Sequence, residues 1–256
     1  MEFFVLNEGT YAVDKNKNFT LFDPKIQKKS DFKGTVFLAI QPFLVRTSTD
    51  IILLDAGLGA KNAEGELILL NNLRNIEIAP QQVTKVLMSH LHKDHVGGLF
   101  QGIQGEYQLT FPNATYYISK AEWDWVFSLQ SAHYNYEAFL FLEKNAKVVF
   151  IEGDGVINQH ISYYLTPGHT PFHTAYLIHE GDQKIYFGGD ALTMPQQIGS
   201  TLLIKSDRDP RQAIDVRKVI VEQAVAQQWI CLFYHGFKVK FGRISKLDTH
   251  YEVLFP

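Results

Sequence analysis

The 256-residue chain predicts an α/β (α+β) fold in which two β-sheets face each other and helices cover the outside. Three observations lead there. Short runs rich in Val, Ile, Leu, Phe and Tyr recur along the chain and close on turns containing Gly, Pro or Asp, the pattern of buried strands. Stretches with apolar residues at helical spacing are interspersed among them. Nothing resembling a Ser/Pro/Gly linker, a charged tail or a low-complexity segment divides the chain, and its halves are alike in content, so residues 1–256 read as a single domain.

The elements follow in order. Residues 35–47 and 51–54 read as two buried strands joined by the turn Thr47-Ser48-Thr49-Asp50, a hairpin. The second strand runs into Asp55-Ala56-Gly57-Leu58-Gly59, where the glycines allow a sharp turn beside a carboxylate. Residues 66–76 carry Leu67, Leu70, Leu73 and Ile76 at close to helical spacing. After Pro80, residues 83–88 form a short strand, and residues 114–118 another. Ser119 is placed to cap the next helix, with Glu122 three residues on as in a capping box. The aromatic segment 123–141 continues as helix with breaks and supplies core or pocket wall. Residues 147–151, 161–166, 174–178 and 184–187 are strand-like. Pro210 opens an amphipathic helix to about 228, with Ile214, Val216, Val219, Ile220 and Val225 on its buried side, and a last strand spans 229–234.

Composition narrows the function. Hydrophobic content of 46% and charged content of 20% are those of a globular protein able to bury a sizeable core. A net charge of -3 gives no general attraction to nucleic acid, so no nucleic-acid partner is expected. The single cysteine, Cys231, cannot pair internally, which suits a reducing compartment. The N-terminus lacks the basic flank and apolar core of a signal peptide, and no apolar run reaches the roughly 20 residues of a membrane span. The expectation is a cytoplasmic protein with no membrane partner, a monomer or homodimer, acting on a small molecule.

The densest chemistry lies in Ser89-His90-Leu91-His92-Lys93-Asp94-His95, followed by Gly97-Gly98. His90, His92 and His95 would repel one another if charged, and all three together with Asp94 would be costly to desolvate alone, whereas neutral imidazoles and a carboxylate around a bound cation avoid both penalties. Neutral imidazole and carboxylate suit zinc and similar first-row metals. Three later stretches repeat one pattern, a strand end with glycine beside a metal-competent side chain: Pro167-Gly168-His169, Gly188-Gly189-Asp190 and His235-Gly236. Loops at strand ends on a rigid scaffold are where sites usually sit.

With these residues the chain resembles the metallo-β-lactamase superfamily of metal-dependent hydrolases, through His-x-His-x-Asp-His at 90–95, the glycine pair, His169, Asp190, His235 and the upstream Leu-Asp-Ala-Gly at 54–57. The resemblance implies a four-layered αββα sandwich with two divalent transition-metal ions, zinc first and iron or manganese as alternatives. It assigns His90, His92 and His169 to one ion, Asp94, His95 and His235 to the other, and Asp190 to a bridge between them. It makes Asp55 the group that orients a ligating imidazole through its other nitrogen, and leaves His173, four residues after His169, as a candidate for similar support. Ser89 reads as a loop hydrogen-bonding residue and not as a nucleophile.

The implied reaction is hydrolysis by a hydroxide bridging the two ions, attacking an ester, lactone, thioester or phosphoryl centre, with Asp94 and Asp190 as the catalytic carboxylates able to shuttle its proton. Members of the superfamily that cleave β-lactams usually lack the bridging Asp, flavodiiron proteins usually have Glu where His92 stands, and the group's nucleases tend to add a clamping module. Quorum-quenching lactonases, glyoxalase II-like thioesterases and iron-dependent sulfur dioxygenases remain, and the layout is closest to the lactonases. Two departures stand out: Thr193 occupies the place of a lactonase Tyr, and Lys93 that of an often apolar residue. Tyr134, Tyr136 and Tyr234 are the candidates to replace the missing phenol. Lys205 and Arg208 are candidates to bind a substrate carboxylate, though exposed Lys and Arg are most often only solvated.

Overall fold

The computed structural model describes residues 1–103, 105–248 and 250–255. The chain begins with β1 (Glu2–Val5), β2 (Gly9–Val13), β3 (Phe19–Leu21), β4 (Val36–Ile40), β5 (Phe43–Arg46) and β6 (Ile51–Leu54). Then come α1 (Ile68–Asn75), β7 (Lys85–Leu87), the single-turn α2 (Lys93–Val96), β8 (Phe100–Gln101), β9 (Gln108–Leu109), β10 (Thr115–Ser119), α3 (Lys120–Leu129) and α4 (Tyr136–Asn145). The remainder holds β11 (Lys147–Ile151), β12 (Gly155–Asn158), β13 (Ile161–Leu165), β14 (Thr174–Glu180), β15 (Gln183–Phe187), α5 (Pro210–Gln227), β16 (Ile230–Leu232), β17 (Phe241–Leu247) and β18 (His250–Leu254).

Two sheets dominate, ordered β1-β5-β6-β7-β10-β11 and β12-β13-β14-β15-β16-β17-β18. Side-chain alternation along their strands separates three apolar layers. Phe43, Val45, Ile52 and Leu54 point at Ile185, Phe187, Ile230 and Leu232, filling the space between the sheets. The opposite face of the first sheet, through Leu44, Leu53, Val86 and Tyr116, packs on Leu69 and Leu73 of α1, Trp123 of α3 and Leu142 of α4. On the second sheet Tyr186 and Cys231 turn outward to meet Ile220, Val221 and Ala224 of α5. Three cores between four layers make the αββα sandwich. Among the described residues no helix is long and apolar enough to cross a membrane.

The hairpin expected over 35–47 and 51–54 is correct only from Phe43 onward. Residues 35–47 are not one strand: β4 joins a small sheet with β2 and β3, while β5 pairs with β6. The break falls at Gln41-Pro42, where proline has no N–H to continue a ladder. Gln41 is fully buried there, and its Nε2 donates to the carbonyls of Phe233 and Gly236. The capping box also needs correction. Ser119 does cap α3 by accepting from the Glu122 N–H, but the Glu122 carboxylate accepts instead from Thr170 Oγ1 at 2.8 Å.

Candidate metal centre

The strand ends deliver the chemistry. Chain leaving β6 passes through Asp55 in the left-handed region (φ 53°), a conformation Asp tolerates better than most residues. Leaving β7, residues 88–92 run into α2, which carries Asp94 and His95 inward and buried. The two segments are stitched by Ala56 N–H to the His95 carbonyl (2.7 Å) and Gly97 N–H to the Gly57 carbonyl (2.8 Å). Side chains cannot fit between them: a Cβ on Gly97 would lie 2.0 Å from the Leu58 carbonyl oxygen, and one on Gly98 2.1 Å from that of Ala56. The Thr174 N–H donates to the Ser89 carbonyl at 2.8 Å, joining this segment to the second sheet. From that sheet come His169 in the β13–β14 loop, Asp190 after β15 and His235 after β16.

All seven residues converge. His90 Nε2 lies 2.9 Å and His169 Nε2 3.0 Å from His92 Nδ1, so three imidazole nitrogens face one point. Four nitrogens bound tetrahedrally at 2.0–2.1 Å would stand roughly 3.3 Å apart, close to what these three show. A second group is formed by Asp94 Oδ2, His95 Nε2 and His235 Nε2, with each imidazole 3.8 Å from the carboxylate oxygen. Asp190 stands between the groups. Its Oδ2 is 3.1 Å from His169 Nε2, and its Oδ1 is 3.4 Å from His95 Nε2 and 3.2 Å from His235 Nε2. Among the described residues His95 Nε2 and Asp190 Oδ1 are buried without a hydrogen-bond partner, which a native protein rarely leaves so. The donor set and these unpaired atoms fit divalent ions.

Electrostatics separates the groups. Burial, aided by the neighbouring imidazoles, pushes His90 and His92 well below the ordinary histidine value, so both are neutral and have a lone pair to give. Burial also opposes charge on His95 and His235, but Asp190 and Asp94 outweigh it and raise both. Burial works against the Asp190 carboxylate too, yet His169, His235 and His95 hold it ionised.

The supporting residues fix each ring. Asp55, wholly buried, accepts from Ser89 N–H (2.7 Å) and Ser89 Oγ (2.6 Å) and faces His95 Nδ1 at 2.6 Å. Ser89 Oγ is also 3.0 Å from His90 Nδ1, so one carboxylate orients His95 directly and His90 through a hydroxyl. Asp55, His90 and His95 also have ligand atoms close together, but both Asp55 oxygens are already engaged, which makes it a support. His235 Nδ1 is 2.7 Å from the Ala39 carbonyl, which fixes that tautomer. His173 accepts from the Asp190 N–H at Nε2 (3.1 Å) and meets Thr166 Oγ1 through Nδ1 (2.8 Å). Burial lowers His173 to about 3, so it remains a neutral brace for the Asp190 turn.

Sequence reasoning missed Asp207 and Glu8, and read Glu122 only as a capping residue. Asp207 Oδ1 lies 2.9 Å from His169 Nδ1; it sits between Lys205 and Arg208, 38 positions beyond its partner, with no local motif to mark it. Glu122 is buried beneath the His169 loop; burial raises its carboxyl to about 7. Glu8, from the stretch before β2, accepts the Leu58 N–H at 2.6 Å and fills the space a Gly57 side chain would need; burial raises it to about 8.

The candidate tyrosines separate cleanly. Tyr234 donates to the Asp94 carbonyl at 2.6 Å, and Tyr136 to the Val126 carbonyl, so both are structural. Tyr134 is half-buried, its ring stacks on His92 with centroids 6.3 Å apart, and its hydroxyl has no hydrogen-bond partner among the described residues. Thr193 is buried, held by Gln197 Oε1 on its N–H while its carbonyl accepts from the His235 N–H. Lys93 is exposed, with Nζ 5.9 Å from the Phe19 ring centre. Arg208 is exposed over Trp125 at 5.6 Å, its N–H donating to the His169 carbonyl; Lys205 is exposed and in no ion pair among the described residues.

A four-layered sandwich with histidines and carboxylates from both sheets meeting at one edge defines a class of protein, and the sequence matches the profile of that class. Residues 36–218 match the metallo-beta-lactamase superfamily, and the chain belongs to it. An N-acyl homoserine lactonase from a Bacillus species is 28% identical over 160 residues, 55% of this chain and 58% of the relative. An N-acyl homoserine lactonase from Bacillus cereus is 26% identical over 164 residues. These matches span a little over half the length of those relatives. Among solved structures, the hydrolase AbOPH of the beta lactamase superfamily superimposes with a TM-score of 0.77 at 25% identity, covering 99% of this chain and 94% of that one. AidC, a dizinc quorum-quenching lactonase, gives 0.74 at 23% identity over 99% and 94%.

Proposed function

We propose that the chain is a metal-dependent hydrolase with a dinuclear centre, acting on the ester or lactone bond of a small molecule. One observation carries this reading: the two oxygens of Asp190 face two separate ligand groups, His90/His92/His169 and Asp94/His95/His235. A single ion would leave one of the groups, and one Asp190 oxygen, uncompensated in a buried site. The lactonase relatives and the dizinc neighbour support the substrate class and the choice of zinc.

Two divalent ions there would supply Lewis-acid polarisation of the substrate oxygen and a water of lowered pKa. The chain's residues do the rest. Asp55, Asp207 and the Ala39 carbonyl hold the far nitrogens of His95, His169 and His235, leaving the opposite nitrogen of each ring free to ligate. Asp94 Oδ2 and the Asp190 oxygens are positioned to take the proton of an attacking water. Tyr134, whose ring stacks on His92 and whose hydroxyl has no partner among the described residues, is the group able to hydrogen-bond the substrate carbonyl or the leaving oxygen in place of the Tyr that Thr193 replaces.

The test is elemental analysis of the purified protein followed by a panel of lactones, thioesters and phosphodiesters. Two zinc, iron or manganese ions per chain with turnover of lactones or esters is the expected result. Protein that binds no transition metal at neutral pH would refute the reading, and one iron per chain with oxygen uptake on a persulfide would replace it with dioxygenase chemistry. Asp190→Asn should lower the metal content toward one ion per chain and abolish hydrolysis.

A further inference from the structure

We propose that Arg217, on α5 and outside the ligand set, is a positioning residue that aligns His169 and Asp190 with each other; this rests on the metal-centre reading above. Arg217 is 2% exposed, on the helix face turned toward the second sheet. Its Nε donates at 3.0 Å to the carbonyl of Ala191, the residue after Asp190. Its Nη2 stands 3.9 Å from Asp207 Oδ2, while Asp207 Oδ1 is 2.9 Å from His169 Nδ1. One guanidinium therefore holds the backbone one residue past the proposed bridge and faces the carboxylate behind a proposed ligand. Those two residues also meet directly, His169 Nε2 lying 3.1 Å from Asp190 Oδ2.

The energetics argue against a purely structural role. Nη1 and Nη2 are buried and make no hydrogen bond among the described residues, so the guanidinium is desolvated with one hydrogen bond, from Nε, and one ion pair at 3.9 Å. A buried ion pair of this quality is weak evidence for stability, because desolvation cancels much of the attraction. An apolar residue on α5 would pack at least as well. What an apolar residue could not do is hold the Ala191 carbonyl and face the Asp207 carboxylate at once. Asp207 Oδ1 engages His169 Nδ1, which turns Nε2 of that ring toward the centre, so a carboxylate that shifts takes the imidazole with it. The same helix start grips the His169 loop from its other side, since the Asp209 N–H donates to the Gly168 carbonyl at 2.8 Å and a Cβ on Gly168 would meet Ala213 at 2.5 Å. With the loop clamped, the guanidinium sets the remaining freedom, the tilt of the imidazole and of the Asp190 turn.

The experiment is a double-mutant cycle on metal affinity, using Arg217→Met, Asp207→Asn and the double variant, with zinc affinity read by chelator competition and the ligand field by the visible spectrum of the cobalt-substituted protein. Thermal unfolding serves as the control for folding. Arg217→Met should weaken zinc binding by about 10- to 100-fold and alter the cobalt spectrum, the usual cost of losing a group behind a ligand. The double variant should lose less affinity than the product of the two single losses, because Arg217 acts in part through Asp207. Arg217→Lys, which keeps the charge, should recover part of the affinity, and it carries the comparison if the Met variant does not fold. Wild-type-like affinity and spectrum in both Arg217 variants, or fully multiplicative effects in the cycle, would overturn the inference while leaving the metal centre standing. Wild-type protein that bound no divalent ion would instead overturn the function beneath it.

Discussion

Glu122 shows how one buried side chain serves an element and the site at once. Its backbone N–H completes the Ser119 cap of α3, while its carboxylate, 1% exposed, holds Thr170 beside His169. Burial raises its folded pKa from 4.5 to about 7, so the native protein binds this proton more tightly than the unfolded chain does. The sign follows: the stabilising contribution is complete below about pH 4.5 and is lost as pH rises through about 7. In Glu122→Gln that slope disappears, so the variant's stability relative to wild type should improve between those limits, by at most about 3 kcal/mol, and stay level above. Denaturant melts of metal-free protein at pH 5 and 8 check this; an unchanging difference would contradict it. Tyr134 gives a second test at this scale. Its ring stacks on His92 and its hydroxyl has no partner among the described residues, so Tyr134→Phe should leave metal content and melting temperature unchanged and lower kcat by about 10²-fold or more if the phenol assists the leaving group. Equal kcat on a lactone would remove Tyr134 from the chemistry.

At the scale of elements, the crossing of the segment after β6 with the turn after α2 fixes the centre. Gly97 has an ordinary helical backbone (φ -61°), so at that position contact, not conformation, demands glycine. Gly98→Ala would drive a methyl group into the Ala56 carbonyl and toward Leu69 Cδ2 at 2.8 Å. The expected outcome is a loss of about 1–3 kcal/mol, which for a chain of this size is a fall in melting temperature of several degrees, together with weaker metal binding. A variant melting with wild type would mean the crossing can open without cost. This crossing also shows what could be read in advance. His90 to His95, the glycine pair and the turn at Asp55 announced themselves because short motifs encode tight backbone and donor spacing locally. The β4–β5 break did not, since a long apolar run says nothing about which sheet each half joins. β12 and the β17–β18 hairpin went unread because their half-exposed sequences lack a continuous apolar run, and the strands before residue 35 because their apolar stretches are at most four residues long. Asp207 and Arg217 meet only in three dimensions, so no spacing rule could pair them with His169 or Asp190.

For the molecule as a whole, the centre is a seam. His90, His92, Asp94 and His95 hang from the first sheet, while His169, Asp190 and His235 hang from the second. Each proposed ligand group draws on both sheets, His169 completing one and His235 the other. Without cations, the imidazoles and carboxylates clustered at this seam must be buried against the cost of desolvation, and the direct contacts between the two segments there include the Ser89–Thr174 backbone hydrogen bond. Ions bound only by the folded protein stabilise it by mass action, by about 4 kcal/mol when free ligand is a thousand times the dissociation constant. At roughly 2–4 °C per kcal/mol for a domain of this size, stripping the metal should lower the melting temperature by about 10 °C. Calorimetry of native, chelator-treated and zinc-restored protein measures this directly. Restoration of the original melt by zinc, in proportion to occupancy, is the expected result. Identical melting of the native and stripped forms would mean that the sheets are held by their apolar layers alone and that no ion couples them.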